Sequence, residues 1–283
     1  MFRRILVPLD GTPQSNAALP AARTIAHAIS ASVFLLQVLD SPESGPAIDE
    51  TAHKLARVAR ELAASGLQVE SAVRFGQAGD EIVQQVREWS ADLVIMRTRG
   101  WSGIQRAVMG SVAEDLLSRS DVPIMLLRPG GRRMDRIANL LAPVDGSPGG
   151  ALALASGVGL AKATGAQIRL IEIVVPMMSQ ALTPSEYDPA WDEEALSAAH
   201  TYVAGMVSRL LGAGVMAKGE ARMAPEIAGG IVQAADEHAS DLIVMSTEAR
   251  TGLGRAVLGS VADAVVRASA CPVLLVHRRN REN

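Results

Sequence analysis

The sequence predicts an α/β protein built as two similar halves, each a mainly parallel open sheet covered by helices. Three observations point to it. The length of 283 residues is about twice a domain of roughly 100–200 residues. Short apolar runs alternate with amphipathic stretches, the pattern of parallel strands joined by crossover helices. The chain also repeats itself. Ile5-Leu-Val-Pro-Leu-Asp-Gly-Thr12 returns as Leu140-Leu-Ala-Pro-Val-Asp-Gly-Ser147 at an offset of 135. Met109-Gly-Ser-Val-Ala-Glu-Asp115 returns as Leu258-Gly-Ser-Val-Ala-Asp-Ala264 at an offset of 149. The offsets differ by 14, which gives the second copy an insertion, expected at about 176–192, where PMMSQALTPSEYDPAWD is proline-rich, polar and aperiodic. The domains are expected at 1–129 and 135–283, with the RPGGRR stretch from Arg128 to Arg133 as linker.

Five strands and four helices are expected in each copy. In copy one the strands fall at Arg4–Leu9, Ser32–Val38, Gln68–Arg74, Asp92–Arg97 and Val122–Leu127. In copy two they fall at Ala138–Val144, Gln167–Val174, Val215–Met223, Asp241–Ser246 and Pro272–His277. Runs such as LIVM and VLLV, apolar at successive positions, indicate strands covered on both faces. Thr12-Pro13 and Ser147-Pro148 place a hydroxyl at the N-cap and proline at the first position of each copy's first helix. The second helix runs from Ile48 to Ser65 and ends at Gly66, which suits a left-handed C-cap. In such sheets a ligand sits at the carboxyl ends of the strands, so the chemistry belongs in the loops after strands one, two and four.

Composition narrows the function classes. With 48 % hydrophobic and 20 % charged residues the chain can offset its ordering entropy and is not disordered. The single cysteine, Cys271, excludes a disulfide framework and precedes a buried strand, where a small inert thiol fits better than a nucleophile. The longest uncharged apolar stretch, Ala151 to Ala161, falls well short of the roughly 18–20 residues of a membrane span. The opening MFRRILVPLDG is too short before Asp10 for the apolar core of a signal peptide. The expectation is a soluble, cytoplasmic chain with no membrane partner. A net charge of -3 and 3 % aromatics argue against nucleic acid, which asks for a basic surface or stacking rings.

Several motifs are missing. No GxxxxGK[ST] phosphate loop and no GxSxG elbow occur, and Gly252 to Val257 lacks the third glycine of a dinucleotide fingerprint. The five histidines show no metal-ligand spacing, and no metal site is expected. The loop after strand four is the informative one. In copy one it runs from Arg97 through Gly100 to Gly110 and Ser111, where a helix begins. Its glycines and hydroxyl allow backbone amides and a helix N-terminus to converge on an anion. The same residues also read as a capping box, Ser111-Val-Ala-Glu114 and Ser260-Val-Ala-Asp263, in which serine and acid satisfy the helix's own amides.

Together, VPLDGT, MGSVAEDLL and VPIMLLRP, repeated as APVDGS, LGSVADAVV and CPVLLVHR, resemble universal stress protein domains. The resemblance spans nearly the whole chain outside the insertion and implies a tandem member. It implies Rossmann-like domains of the adenine nucleotide alpha hydrolase-like type, each a five-stranded parallel sheet of order 3-2-1-4-5 with helices on both faces. The last strands of two domains would pair antiparallel, as an intrachain pseudo-dimer or a homodimer. Some members of the family bind ATP and others do not.

The family's ATP pattern, G-2x-G-9x-G-[ST], falls on Arg97, Gly100, Gly110 and Ser111 in copy one and on Ser246, Ala249, Gly259 and Ser260 in copy two. One glycine is replaced in the first copy and two in the second. Arg97 would either pair with a phosphate or block the pocket, and Glu248 would repel a triphosphate unless Mg2+ intervenes. By resemblance, Pro8, Leu9, Asp10 and Val38 would hold adenine and ribose in copy one, with Pro143, Val144, Asp145 and Ile173 their counterparts in a degenerate second site. Asp10 and Asp145 can equally bond the amides of their own turns.

The leading expectation is a regulatory stress-response protein that binds ATP or a related adenine nucleotide in copy one and is not an enzyme. The alternatives are an interaction protein acting through the copy-two insertion and, on fold analogy alone, a slow ATPase or adenylating enzyme.

Overall fold

A computed structural model describes residues 2–40, 45–98, 110–177, 188–247, 250–252 and 255–277. Copy one contributes strands β1 (Arg4–Leu9), β2 (Ser32–Leu39), β3 (Val69–Phe75), β4 (Leu93–Arg97) and β5 (Ile124–Leu127). Its helices are α1 (Ala18–Ile29), α2 (Gly45–Ala63), α3 (Ala78–Glu88) and α4 (Ser111–Arg119). Copy two contributes β6 (Asn139–Pro143), β7 (Gln167–Val174), β8 (Ala217–Met223), β9 (Leu242–Thr247), the short antiparallel pair β10 (Arg250–Gly252) and β11 (Arg255–Val257), and β12 (Val273–His277). Its helices are α5 (Pro148–Thr164), α6 (Pro189–Gly212), α7 (Ile227–Glu237) and α8 (Ser260–Ala268).

Ten strands form one sheet in the order β3-β2-β1-β4-β5-β12-β9-β6-β7-β8, so each copy has the order 3-2-1-4-5. Pairing is parallel inside each copy and antiparallel at β5–β12, where Val273, Leu274 and Leu275 face Leu126, Met125 and Ile124. The two-residue period divides the apolar side chains between the faces. Ile5, Val7, Leu9, Leu35, Leu93 and Ile95 pack under α1 and α2, whereas Leu6, Leu36, Val94 and Met96 pack under α3 and α4. The same layering recurs in copy two, and each of the two cores runs through both copies.

The helix starts follow their local chemistry. Ser147 caps α5, its Oγ accepting from Gly150 N at 3.0 Å with Pro148 at the first helical position. Copy one departs from the expected start at Thr12-Pro13. A 3-10 turn over Ser15–Ala17 comes first, and α1 begins at Ala18. Thr12 Oγ1 accepts from Ser15 N at 3.2 Å, Ser15 Oγ donates to Thr12 O at 2.9 Å, and Asp10 N donates to Ser15 Oγ at 3.3 Å. These side-chain bonds give the backbone a tight alternative to the first α-turn. The α2 helix starts at Gly45, earlier than the expected Ile48, and the chain leaves it through Gly66 at φ +90.

The extra length of copy two lies almost wholly between its second and third strands. Forty-two residues connect Val174 to Ala217, against 29 between Leu39 and Val69, and α6 has 24 residues against 19 in α2. Of the expected insertion at 176–192, positions 178–187 lie outside the described residues. At its margins Asp192 Oδ1 accepts from Met177 N at 2.8 Å and Asp188 caps α6. Among the described residues no helix is long and apolar enough to cross a membrane.

The segment between the copies is fastened to copy two. Arg128 Nη1 donates to the carbonyls of Arg267 and Ala268 at 3.1 and 2.9 Å, at the C-terminal end of α8. Arg132 N donates to Ala270 O at 2.5 Å and its Nη1 to Ser240 O at 3.0 Å. A cation there also meets the negative end of the helix dipole. Arg128→Ala is therefore expected to lower the urea midpoint by an amount equivalent to about 1 kcal/mol with an unchanged m-value. Ser147→Ala, which removes a cap, is expected to cost about 1 kcal/mol in the same measurement.

Candidate functional site

The ends of β1, β2 and β4 and the N-terminus of α4 meet at the carboxyl edge of the copy-one sheet, and β6, β7, β9 and α8 repeat the arrangement. Asp10 closes the turn after β1: its Oδ1 accepts from Thr12 N at 3.0 Å and Thr12 Oγ1 at 2.6 Å, and Gly11 follows at φ +78. In copy two Asp145 Oδ1 accepts from Ser147 N at 2.9 Å, with Gly146 at φ +75. Both carboxylates thus hold their own turns.

Strand alternation decides which face each site residue serves. Val38 packs beside Leu36 on the α3 and α4 face, and alternation puts Pro8 there with Leu6. Leu9 and Val144 are buried in the opposite core, so only their main chain is open to a ligand. In copy two, Ile173 packs on the α7 and α8 face, its Cδ1 2.8 Å from where a side chain on Gly230 would begin, and Pro143 is half-buried at the end of β6. In β4, Leu93 and Ile95 face α1 while Val94 and Met96 face the other way, which turns Arg97 toward the α1 face. Ser246 has the same orientation in copy two, its Cβ 3.3 Å from where a side chain on Gly149 would begin. Gly100 and Ala249 lie outside the described residues.

The two serines of the expected capping boxes are not caps. Gly110 and Gly259 occupy the N-cap positions, with φ,ψ of -58,148 and -53,142, and neither helix has a side-chain cap bond. Ser111 and Ser260 are the first helical residues, which places Glu114 and Asp263 one position too far for the reciprocal bond. Asp263 instead pairs with Arg267, at 2.9 Å from Nε and 2.5 Å from Nη2. A helix opened by glycine presents its first-turn amides without a competing side chain. In copy two Gly259 N also points at the buried Thr247, 3.5 Å from Oγ1.

Two further polar positions lie outside every motif. Gln37 in β2 pairs in register with Leu9 and is buried, and Glu172 holds the corresponding place in β7. A polar residue on a core-facing strand position is the signal that could have found them. Glu172 Oε2 is buried without a hydrogen-bond partner among the described residues. Burial, and then the negative charge of Asp145, raises its pKa above the ordinary carboxylate range. The strand-end region of copy two therefore carries two acidic groups where copy one carries one acid and one amide.

A model of the universal stress protein family matches residues 1–128 and 137–277. A universal stress protein of Mycobacterium tuberculosis is 26% identical over 303 residues, covering 97% of this chain and 97% of that relative. One from Methanocaldococcus jannaschii is 28% identical over 141 residues, which is 45% of this chain and 83% of the relative. The crystal structure of a universal stress protein from Archaeoglobus fulgidus superposes with a TM-score of 0.73 at 21% identity, covering 98% of both chains, a likeness of fold.

The raised pKa of Glu172 has a definite sign. The folded state prefers the neutral carboxyl, so its contribution is complete below the unfolded pKa and is lost as pH rises through the higher folded value. Glu172→Gln is expected to raise Tm at pH 7–8. The gain should shrink as pH falls and vanish below about pH 3, where the carboxyl is neutral in both states. Thermal scans across that range give the comparison.

Proposed function

The chain belongs to the universal stress protein family, and from that premise we propose that copy one binds ATP or another adenine nucleotide and acts as a regulator rather than a catalyst. The observation that carries this reading is the glycine-opened α4 helix, with Gly110 as N-cap and Ser111 first in the helix. Its first-turn amides offer an anion site on the same face as Pro8 and Val38, whose half-buried apolar surfaces suit a base. Adenine would lie against Pro8 and Val38, the ribose near Asp10, and the phosphates at Gly110 and Ser111. The fit does not depend on a protein metal site. Among the described residues no group of three metal-ligating side chains occurs, and Mg2+ arriving with the phosphates keeps phosphate and water ligands.

Copy two is the weaker candidate on charge. Glu172 and Asp145 stand at its strand ends, and negative charge there disfavours a polyphosphate. Arg97, directed to the α1 face, is expected to influence affinity only through general charge, so Arg97→Gly should change it less than about tenfold, or 1.4 kcal/mol. A second reading, protein capture through the insertion in copy two, draws on Met177 and Trp191, which flank that segment and are 45% and 47% exposed.

Calorimetric titration with Mg-ATP tests the first reading. Ser111→Glu puts an acid in the first turn, which suits the helix dipole but repels phosphate. It is expected to weaken binding at least about tenfold without lowering Tm, while Ser260→Glu in copy two leaves binding unchanged. Absence of binding by the unaltered protein at millimolar Mg-ATP would remove the proposal.

A further inference from the structure

Copy one carries a cleft of about 380 Å³ on the face of the sheet opposite to α4, between the turn after β1 and helix α2. Its size falls within the range of small-molecule sites. At its base lies Gln37, only 9% exposed, packed against Gly11 so closely that a side chain there would begin 2.7 Å from Nε2. Among the described residues the Gln37 side chain makes no hydrogen bond, and neither do those of Asn16 and Thr51 around the same cleft. The amide opens onto the cleft, where it can donate to and accept from a group that enters.

The chemistry of the walls is divided. The primary amides of Gln37 and Asn16 and the hydroxyl of Thr51 both donate and accept, as the hydroxyls of a sugar do. Along the rim α2 presents Lys54 and Arg57. Their partners Glu50 and Glu61, at 2.6 and 3.8 Å, form exposed i,i+4 pairs, which are worth little and yield readily to a better anion. Copy two lacks this set. Aligned on their buried positions, Leu55 with Val203 and Leu62 with Leu210, α6 offers Tyr202 and Gly205 where α2 has Lys54 and Arg57. Glu172 replaces Gln37.

The geometry points to a second ligand site in copy one: a cleft that takes a small sugar phosphate, its hydroxyls on Gln37, Asn16 and Thr51 and its phosphate on Lys54 and Arg57. The site adjoins the nucleotide reading at the end of β1, where Leu9 and Asp10 border both, but Gln37 and the basic residues of α2 lie on the face of the sheet opposite to Val38 and α4.

The test is a thermal-shift and calorimetric screen of the full chain. The probes are ribose 5-phosphate, glucose 6-phosphate, fructose 6-phosphate and glucose 1-phosphate, with glucose, ribose and inorganic phosphate as controls. At least one sugar phosphate at about 10 mM is expected to raise Tm by roughly 2 °C or more, with smaller shifts from the controls. The double variant Lys54→Glu/Arg57→Glu, on exposed positions, should lose that shift, and Gln37→Leu should weaken binding at least about tenfold without lowering Tm. Saturating Mg-ATP and the Ser111→Glu variant should leave it intact, and the Lys54/Arg57 variant should leave ATP binding intact. Three results would overturn the inference: no shift with any of the four probes, an equal shift with inorganic phosphate alone, or competition by Mg-ATP.

Discussion

Three residue pairs at the centre of the sheet, Val273 with Leu126, Leu274 with Met125 and Leu275 with Ile124, hold the two copies together. All six residues are buried, so the hydrogen bonds of this junction are shielded from water and its side chains belong to both cores. Because the pairing is antiparallel, the copies are related by a rotation that leaves β3 and β8 at the outer edges. Those edges are charged, with Glu70 and Arg74 on one and Lys218, Glu220 and Arg222 on the other. Arg74 pairs with Glu88, and Arg222 with Glu220 and Glu237. Charged edges resist further strand addition.

The same pleat that builds the core sorts the functional residues. A single step along β2 separates Val38, on the face where α4 begins, from Gln37, on the face where α2 forms a cleft. Along β4 it separates Met96 from Arg97. Residues adjacent in sequence therefore serve different chemistry, and two sites on one domain need no extra scaffold. Divergence between the copies has acted at these strand ends. The packed positions beneath them are nearly superimposable in pattern, whereas Gln37 has become Glu172 and Arg97 has become Ser246.

Much of this architecture was legible in the sequence. The repeat gave two domains, and the apolar runs gave the main-sheet strands to within about two residues, because a strand buried on both faces leaves a continuous hydrophobic signature. Helix starts were less legible. Ser147 caps as its sequence suggests, but Thr12 enters a net of bonds with Asp10 and Ser15 that no local propensity describes. The serines at 111 and 260 matched a capping pattern, yet the backbone enters each helix one residue earlier, through glycine. The Arg128 clamp was invisible for a different reason: its acceptors lie about 140 residues away in sequence, at carbonyls that carry no side-chain signature. Gln37 and Glu172 were legible as polar residues on a core-facing strand position, but they sit in the strands and belong to no loop motif.

The segment from Arg128 to Ala138 joins β5 to β6 and keeps the two copies on one chain. Two separate chains meeting through their last strands would associate according to their concentration, and a variant half could be exchanged for an ordinary one. A tether makes the encounter intramolecular, with an effective concentration in the millimolar range for a short linker. The partnership is then fixed at one to one at any expression level. One copy can lose its ligand chemistry altogether and still be delivered, every time, as the structural companion of the copy that keeps it.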